Sequence, residues 1–134
     1  MLETPNERIL ERLRSLCLSL PGTTETASWG HPNFRAGKKT FVAFERVKGR
    51  ASIAFRLDPE DVERLLRRKH FFATPYGRGL WASLWADGRI DWRAVENLVE
   101  RSYRVVALKR MLTARTEMRF KAVSGQRAKG KRQR

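Results

Sequence analysis

Thr40-Phe41-Val42-Ala43-Phe44-Glu45-Arg46-Val47-Lys48-Gly49-Arg50-Ala51-Ser52-Ile53-Ala54-Phe55-Arg56-Leu57 is the stretch on which the fold turns. Its apolar residues run at period two on both sides of a Gly-centred break, Lys48-Gly49-Arg50, which is the signature of two short antiparallel strands. In residues 51–57, Ile53, Phe55 and Leu57 alternate with Ser52, Ala54 and Arg56, so one face is expected on a core and the other nearer solvent. Residues 40–47 are less simple, since Phe41 and Ala43 oppose Val42 and Phe44, the pattern of a central strand covered on both sides.

Upstream, Gly30 and Gly37-Lys38-Lys39 punctuate the chain in the same way, which extends the meander back to Thr23. Before it, Thr4-Pro5-Asn6-Glu7 reads as a helix start, with Thr4 as N-cap, Pro5 in the first turn and Glu7 closing a capping box. Ile9, Leu13, Leu16, Cys17 and Leu20 then recur at helical spacing until Pro21-Gly22 stops the helix. Downstream, Asp58-Pro59-Glu60-Asp61 opens a second helix with Val62, Leu65 and Leu66 as its stripe. Residues 71–76 and 79–86 read as strands, the second with Trp81, Ser83 and Trp85 on one face and Ala82, Leu84 and Ala86 on the other. A third helix starts near Asp91 and carries Val95, Leu98, Val99, Ser102, Tyr103 and Val106; its apolar pattern thins over 109–120.

With 134 residues, 41% apolar and 32% charged, the chain has room for one domain, placed at 1–110, and an appendage at 111–134. The formal charge of +15 is uneven: ten Lys and Arg from Lys109 onward face only Glu117. After Val123 the sequence is polar, basic and Gly-containing, so a basic, partly disordered tail is expected. The only cysteine, Cys17, has no intrachain partner, which favours a reducing compartment and a cytoplasmic location. No apolar run approaches the ~20 residues of a membrane span, and the first residues lack a signal-peptide pattern.

Several segments, in order, resemble the MmcQ/YjbR family. They are Leu20-Pro21-Gly22-Thr23-Thr24-Glu25, Trp29-Gly30-His31-Pro32-Asn33-Phe34-Arg35, Gly37-Lys38-Lys39-Thr40-Phe41, Leu57-Asp58-Pro59-Glu60, Trp81-Ala82-Ser83-Leu84, and Asp91-Trp92 leading to Ser102-Tyr103-Arg104-Val105-Val106-Ala107. The positions that carry the motif are Trp29, His31, Pro32, Phe34, Lys39, Phe41, Trp81, Ser102 and Tyr103. The resemblance implies an α+β fold of order α-β-β-β-α-β-β-α, an antiparallel sheet with helices packed on one face, similar to secretion-chaperone-like and frataxin-like domains. It also implies DNA binding through a double-wing arrangement.

Charge points the same way. Lys109, Arg110, Arg115, Arg119, Lys121, Arg127, Lys129, Lys131, Arg132 and Arg134 are spaced to neutralise phosphates and release counterions without fixed geometry. Lys38, Lys39, Lys48 and Arg50 sit in two turns that would serve as wing tips, roughly 25–30 Å apart at ~3.3 Å per strand residue. Lysines there also make turns soluble and protect strand edges. Arg67 and Arg68 close the second helix, where cations complement the dipole as well as offering a phosphate patch. The expected partner is therefore DNA or RNA, bound non-specifically through phosphates. A protein-docking module of chaperone-like fold is the alternative, marked by a large exposed apolar patch.

An enzyme is not expected. Histidine is the usual general base, but the sequence near His31 offers only Glu25 as an orienting acid and no nucleophile. A small-molecule site there would need a concave pocket with converging polar groups. Two His and one Cys do not make a structural zinc site, and Gly77-Arg78-Gly79 lacks the spacing of a phosphate loop, so neither metal nor cofactor is assigned. Trp81, Trp85 and Trp92 are placed in the core rather than on a base-stacking platform.

Overall fold

The computed structural model describes residues 4–132, with side chains through residue 122. Its elements are α1 (Pro5–Leu18), β1 (Thr23–Ser28), β2 (His31–Ala36), β3 (Lys39–Val47), β4 (Arg50–Arg56), α2 (Pro59–Leu65), β5 (Phe71–Ala73), β6 (Trp81–Trp85), α3 (Trp92–Val106) and α4 (Lys109–Arg132). The α-β-β-β-α-β-β-α order is thus extended by one strand and one helix. The additional strand is β1, whose sequence Thr-Thr-Glu-Thr-Ala-Ser has no apolar alternation because it lies at a sheet edge.

Local chemistry sets the helix ends. Thr4 and Glu7 form the capping box, with the Glu7 N–H donating to Thr4 Oγ1 at 3.1 Å and the Thr4 N–H donating to Glu7 Oε2 at 2.8 Å. Asp91 caps α3 by accepting from the N–H groups of Arg93 and Ala94. Asp58 stands at the N-cap of α2 without a side-chain hydrogen bond.

The six strands form one antiparallel sheet in the order β1-β2-β3-β4-β6-β5. Two-residue turns join the first four strands. Trp29-Gly30 and Lys48-Gly49 each have two positive φ angles, while Gly37-Lys38 has its positive φ on the glycine. These are the patterns of type I′ and type II′ hairpins, whose twist suits paired strands.

The helices lie on one face of this sheet. Leu13 and Cys17 of α1, Val62 and Leu65 of α2, and Val95, Leu98, Val99 and Tyr103 of α3 form one buried cluster with Phe34, Val42, Ile53, Phe55, Ala82 and Leu84. A register shift between Phe34 and Arg35, opposite Phe41, resolves the mixed pattern of β3. The bulge turns Phe41 toward the same layer as Val42, where its ring meets Tyr103 edge-on at 5.8 Å.

The chain breaks helix at Ala107, whose ψ of 145° is extended, and α4 begins two residues later. Met111 in its first turn is buried against Gly22 and Gly37, and a Cβ on Gly22 would stand 2.8 Å from Met111 Cε. Gly22 therefore lets α4 close over the start of the sheet. Among the described residues no helix is long and apolar enough to cross a membrane.

Candidate functional site

The expected phosphate-binding side chains are dispersed. Lys38 and Lys39 are exposed in the β2–β3 turn, Lys48 and Arg50 in and after the β3–β4 turn, at opposite ends of β3. Lys38, Lys39, Lys48, Lys109, Arg110 and Lys121 form no ion pair among the described residues, whereas four others do. Arg50 donates to Asp87 at 2.6 and 3.0 Å and covers the Trp85 ring at 3.9 Å, so it holds a corner of the sheet together. Arg67 lies 3.5 Å from Glu63, and Arg115 and Arg119 reach Glu100 at 3.1 and 3.4 Å. Of these, the Arg67–Glu63 pair is exposed on both sides and of the kind worth about 0–1 kcal/mol, weak enough to exchange a carboxylate for a phosphate. The side chains of Arg127, Lys129, Lys131 and Arg132, and the whole of Arg134, lie outside the described residues.

The structure gathers a different set of arginines. Arg64 from α2, Arg68 from the turn that follows it, where α2 ends at Leu65 before the expected Arg67 and Arg68, and Arg93 and Arg101 from α3 line one cleft of about 350 Å³. Its two carboxylates are engaged. Asp61 lies 3.1 Å from Arg101 and 3.4 Å from Arg64, and Asp91 caps α3. Arg68 also sits over the Phe71 ring at 5.7 Å. Arg93 and Arg101 escaped the sequence reading, although they stand with Asn97 at i, i+4 and i+8, one polar face of α3.

The opposite face of the sheet carries no helix and is built differently. Asn33, Ala43, Ala54 and Ser83 form a cross-strand row of small, buried side chains over β2, β3, β4 and β6. Where the other face has Val42, Ile53 and Phe55, this one has a floor with room above it. Beside that row, His31 Nε2 lies 3.3 Å from Glu45 Oε2. His31 Nδ1 is buried and, among the described residues, without a hydrogen-bond partner. Ser28, Trp29, Thr40, Thr74, Tyr76 and Trp81 line an open cavity of about 280 Å³ over this floor.

Sequence reasoning put Glu25 beside His31. The register instead pairs Ser28 with His31, and Glu25 turns to the helix layer, where Arg14 Nη2 donates to it at 2.9 Å. Arg14 holds that carboxyl below the usual glutamate range, chiefly by these hydrogen bonds. Trp81 and Trp85 also depart from their expected place: half-buried, they stand on the helix-free face, with Phe72 stacked on Trp85 at 4.0 Å. Trp92 does pack against the core, under Arg12. The motif positions divide accordingly. Phe34, Phe41, Ser102 and Tyr103 are buried among the helices, Trp29, His31 and Trp81 line the cavity, Pro32 is half-buried, and Lys39 is exposed.

Among the solved structures that resemble the chain are these two. Protein DR2400 of Deinococcus radiodurans, with the domain DUF419, is 21% identical with a TM-score of 0.66, covering 87% of this chain and 91% of its own. A Pseudomonas syringae protein is 14% identical with a TM-score of 0.62, covering 72% and 97%. At these identities the likeness concerns the fold. No curated protein matches the chain. The YjbR family matches residues 18–105, from the last turn of α1 to the last turn of α3, and α4 lies outside that range. The chain belongs to the YjbR family.

Proposed function

We propose that the protein binds nucleic acid through the phosphate backbone, without a catalytic step, using the α2–α3 cleft and the basic surface of α4. The observation that carries this reading is the convergence of Arg64, Arg68, Arg93 and Arg101 on one cleft whose carboxylates are already engaged. Guanidinium groups so placed offer paired N–H donors to phosphate oxygens, and each phosphate neutralised releases condensed counterions. DNA and RNA both present that backbone, and contacts of this kind carry no sequence information.

A deletion at Leu108, which the sequence invites, would take Met111 out of the core along with the charge. The test is therefore made by substitution in the full chain. Arg68→Gln with Arg93→Gln should weaken duplex binding uniformly across sequences and flatten the slope of log K against log salt by about 0.9 for each phosphate that is no longer neutralised. Unchanged affinity at physiological salt would remove the cleft from the interface. Neutralising Lys109, Arg110 and Lys121 tests α4 in the same assay.

A second reading rests on Leu108, Met118 and Phe120, large apolar side chains exposed on or just before α4. They favour protein docking by that helix. Phe120→Ser would then abolish partner capture while leaving the salt slope for DNA unchanged.

A further inference from the structure

The helix-free face holds two large residues that the fold does not require to be there. Trp29 is 95% exposed at φ 56°, and Tyr76 is 100% exposed at φ 61°. Left-handed backbone is disfavoured for bulky side chains, and the first position of a type I′ turn ordinarily takes Asn, Asp or Gly. Lys48 occupies the equivalent place in the β3–β4 turn, so a polar residue meets the geometry. Neither ring is buried for stability. Both line the cavity over Ala43 and Ala54, with the Glu45 carboxylate on the same site. Strain, full exposure and convergence on a cavity are together the mark of a binding position rather than of a core.

We infer that this cavity binds a single planar nitrogen heterocycle, a nucleobase carrying an exocyclic amino group, stacked on Trp29 and Tyr76 with its amino edge toward Glu45. The volume of about 280 Å³ is at the lower end of ligand pockets, which run roughly 300–1,000 Å³, and so suits one ring system. The polar edge sets the chemistry. The Glu45 carboxylate accepts only, with its Oε2 3.3 Å from His31 Nε2. A ligand must therefore bring N–H donors. The same carboxylate repels a phosphate and also the two carbonyls that flank the single N–H of uracil or thymine, whereas cytosine, adenine and guanine offer an amino group. A free nucleoside and an unpaired base in a strand present the same ring and edge, so experiment distinguishes the source.

The test uses the full-length protein and reads tryptophan fluorescence during titration with cytidine and with uridine, whose rings differ in an amino against a carbonyl group. Cytidine should bind about tenfold more tightly, the discrimination of one well-formed base contact, and Glu45→Gln should abolish the difference. Trp29→Gly and Tyr76→Gly, which relax left-handed backbone and so should fold, are each expected to lower binding roughly tenfold, the worth of one stacking ring. Oligo(dC), single-stranded and in a duplex with oligo(dG), distinguishes the source. Trp29-dependent binding of the single strand assigns the site to strands, and of cytidine without the strand, to free nucleosides; either supports the inference. Equal affinity for cytidine and uridine, binding indifferent to Trp29, or no binding with a dimer that Trp29→Gly dissociates would overturn it. The inference does not rest on the phosphate reading, since duplex binding through the α2–α3 cleft is read separately and should be the same in Trp29→Gly.

Discussion

Ser102 and Tyr103 are neighbours on α3, both fully buried, and their hydroxyl groups meet opposite fates. Tyr103 donates to the Pro21 carbonyl at 2.6 Å and so ties α3 to the turn between α1 and β1. Burial raises its pKa, which keeps it a neutral donor. Ser102 Oγ has no partner among the described residues. A paired hydroxyl contributes about 1 kcal/mol, while a buried unpaired one contributes nothing and carries its desolvation. Tyr103→Phe should therefore destabilise by about 1 kcal/mol and leave an orphaned carbonyl, whereas Ser102→Ala should be neutral or slightly stabilising. Urea unfolding of the two variants checks the pair, and a loss of more than ~1 kcal/mol in Ser102→Ala would mean that the hydroxyl is satisfied in solution.

At the scale of elements, the Arg14–Glu25 pair joins α1 to β1 across two consecutive elements. Arg14 lowers the Glu25 pKa by hydrogen bonding first, against burial and with the help of charge attraction. A carboxyl whose folded-state pKa is depressed contributes stability that is complete above its unfolded value of about 4.3 and disappears as pH falls through the folded value. The melting temperature of wild type should thus exceed that of Glu25→Gln by a few degrees at pH 7, with the gap closing below pH ~4. A gap that persists undiminished at pH ~2 would assign the difference to packing. The helix starts at Thr4 and Asp91 and the alternation of β4 were legible because caps and periodicity act within a few residues. The edge strand β1 was legible only as the start of the meander at Thr23 and not as a strand of its own, having no apolar face to display, and the bulge at Phe34 hid which way Phe41 points. The pairing of His31 with Glu45, and of Arg64 and Arg68 with Arg93 and Arg101, depends on sheet register and helix packing, which local sequence does not encode.

For the whole molecule, 29 Lys and Arg stand against 14 Asp and Glu, so internal pairing leaves a net charge of +15 however the carboxylates are shared. Such a charge favours anionic partners and destabilises the compact state by self-repulsion. Repulsion is long-ranged at low salt, where the Debye length is about 30 Å at 0.01 M, and is nearly gone at 1 M, where it is about 3 Å. The ion pairs would weaken over the same range, but exposed pairs contribute too little to reverse the trend. Stability should therefore rise with sodium chloride, the reverse of a protein held together by surface salt bridges. At fixed ionic strength, phosphate should raise the melting temperature further, because an anion bound only to the folded cleft stabilises it by RT ln(1 + [L]/Kd). Arg68→Gln with Arg93→Gln should keep the chloride response and lose the phosphate increment. If the melting temperature falls as chloride increases, the ion pairs outweigh the excess charge and the molecule is not an unneutralised polycation awaiting a polyanion. If phosphate acts no differently from chloride, the arginines of the cleft hold the Asp61 carboxylate too firmly to exchange it for a ligand.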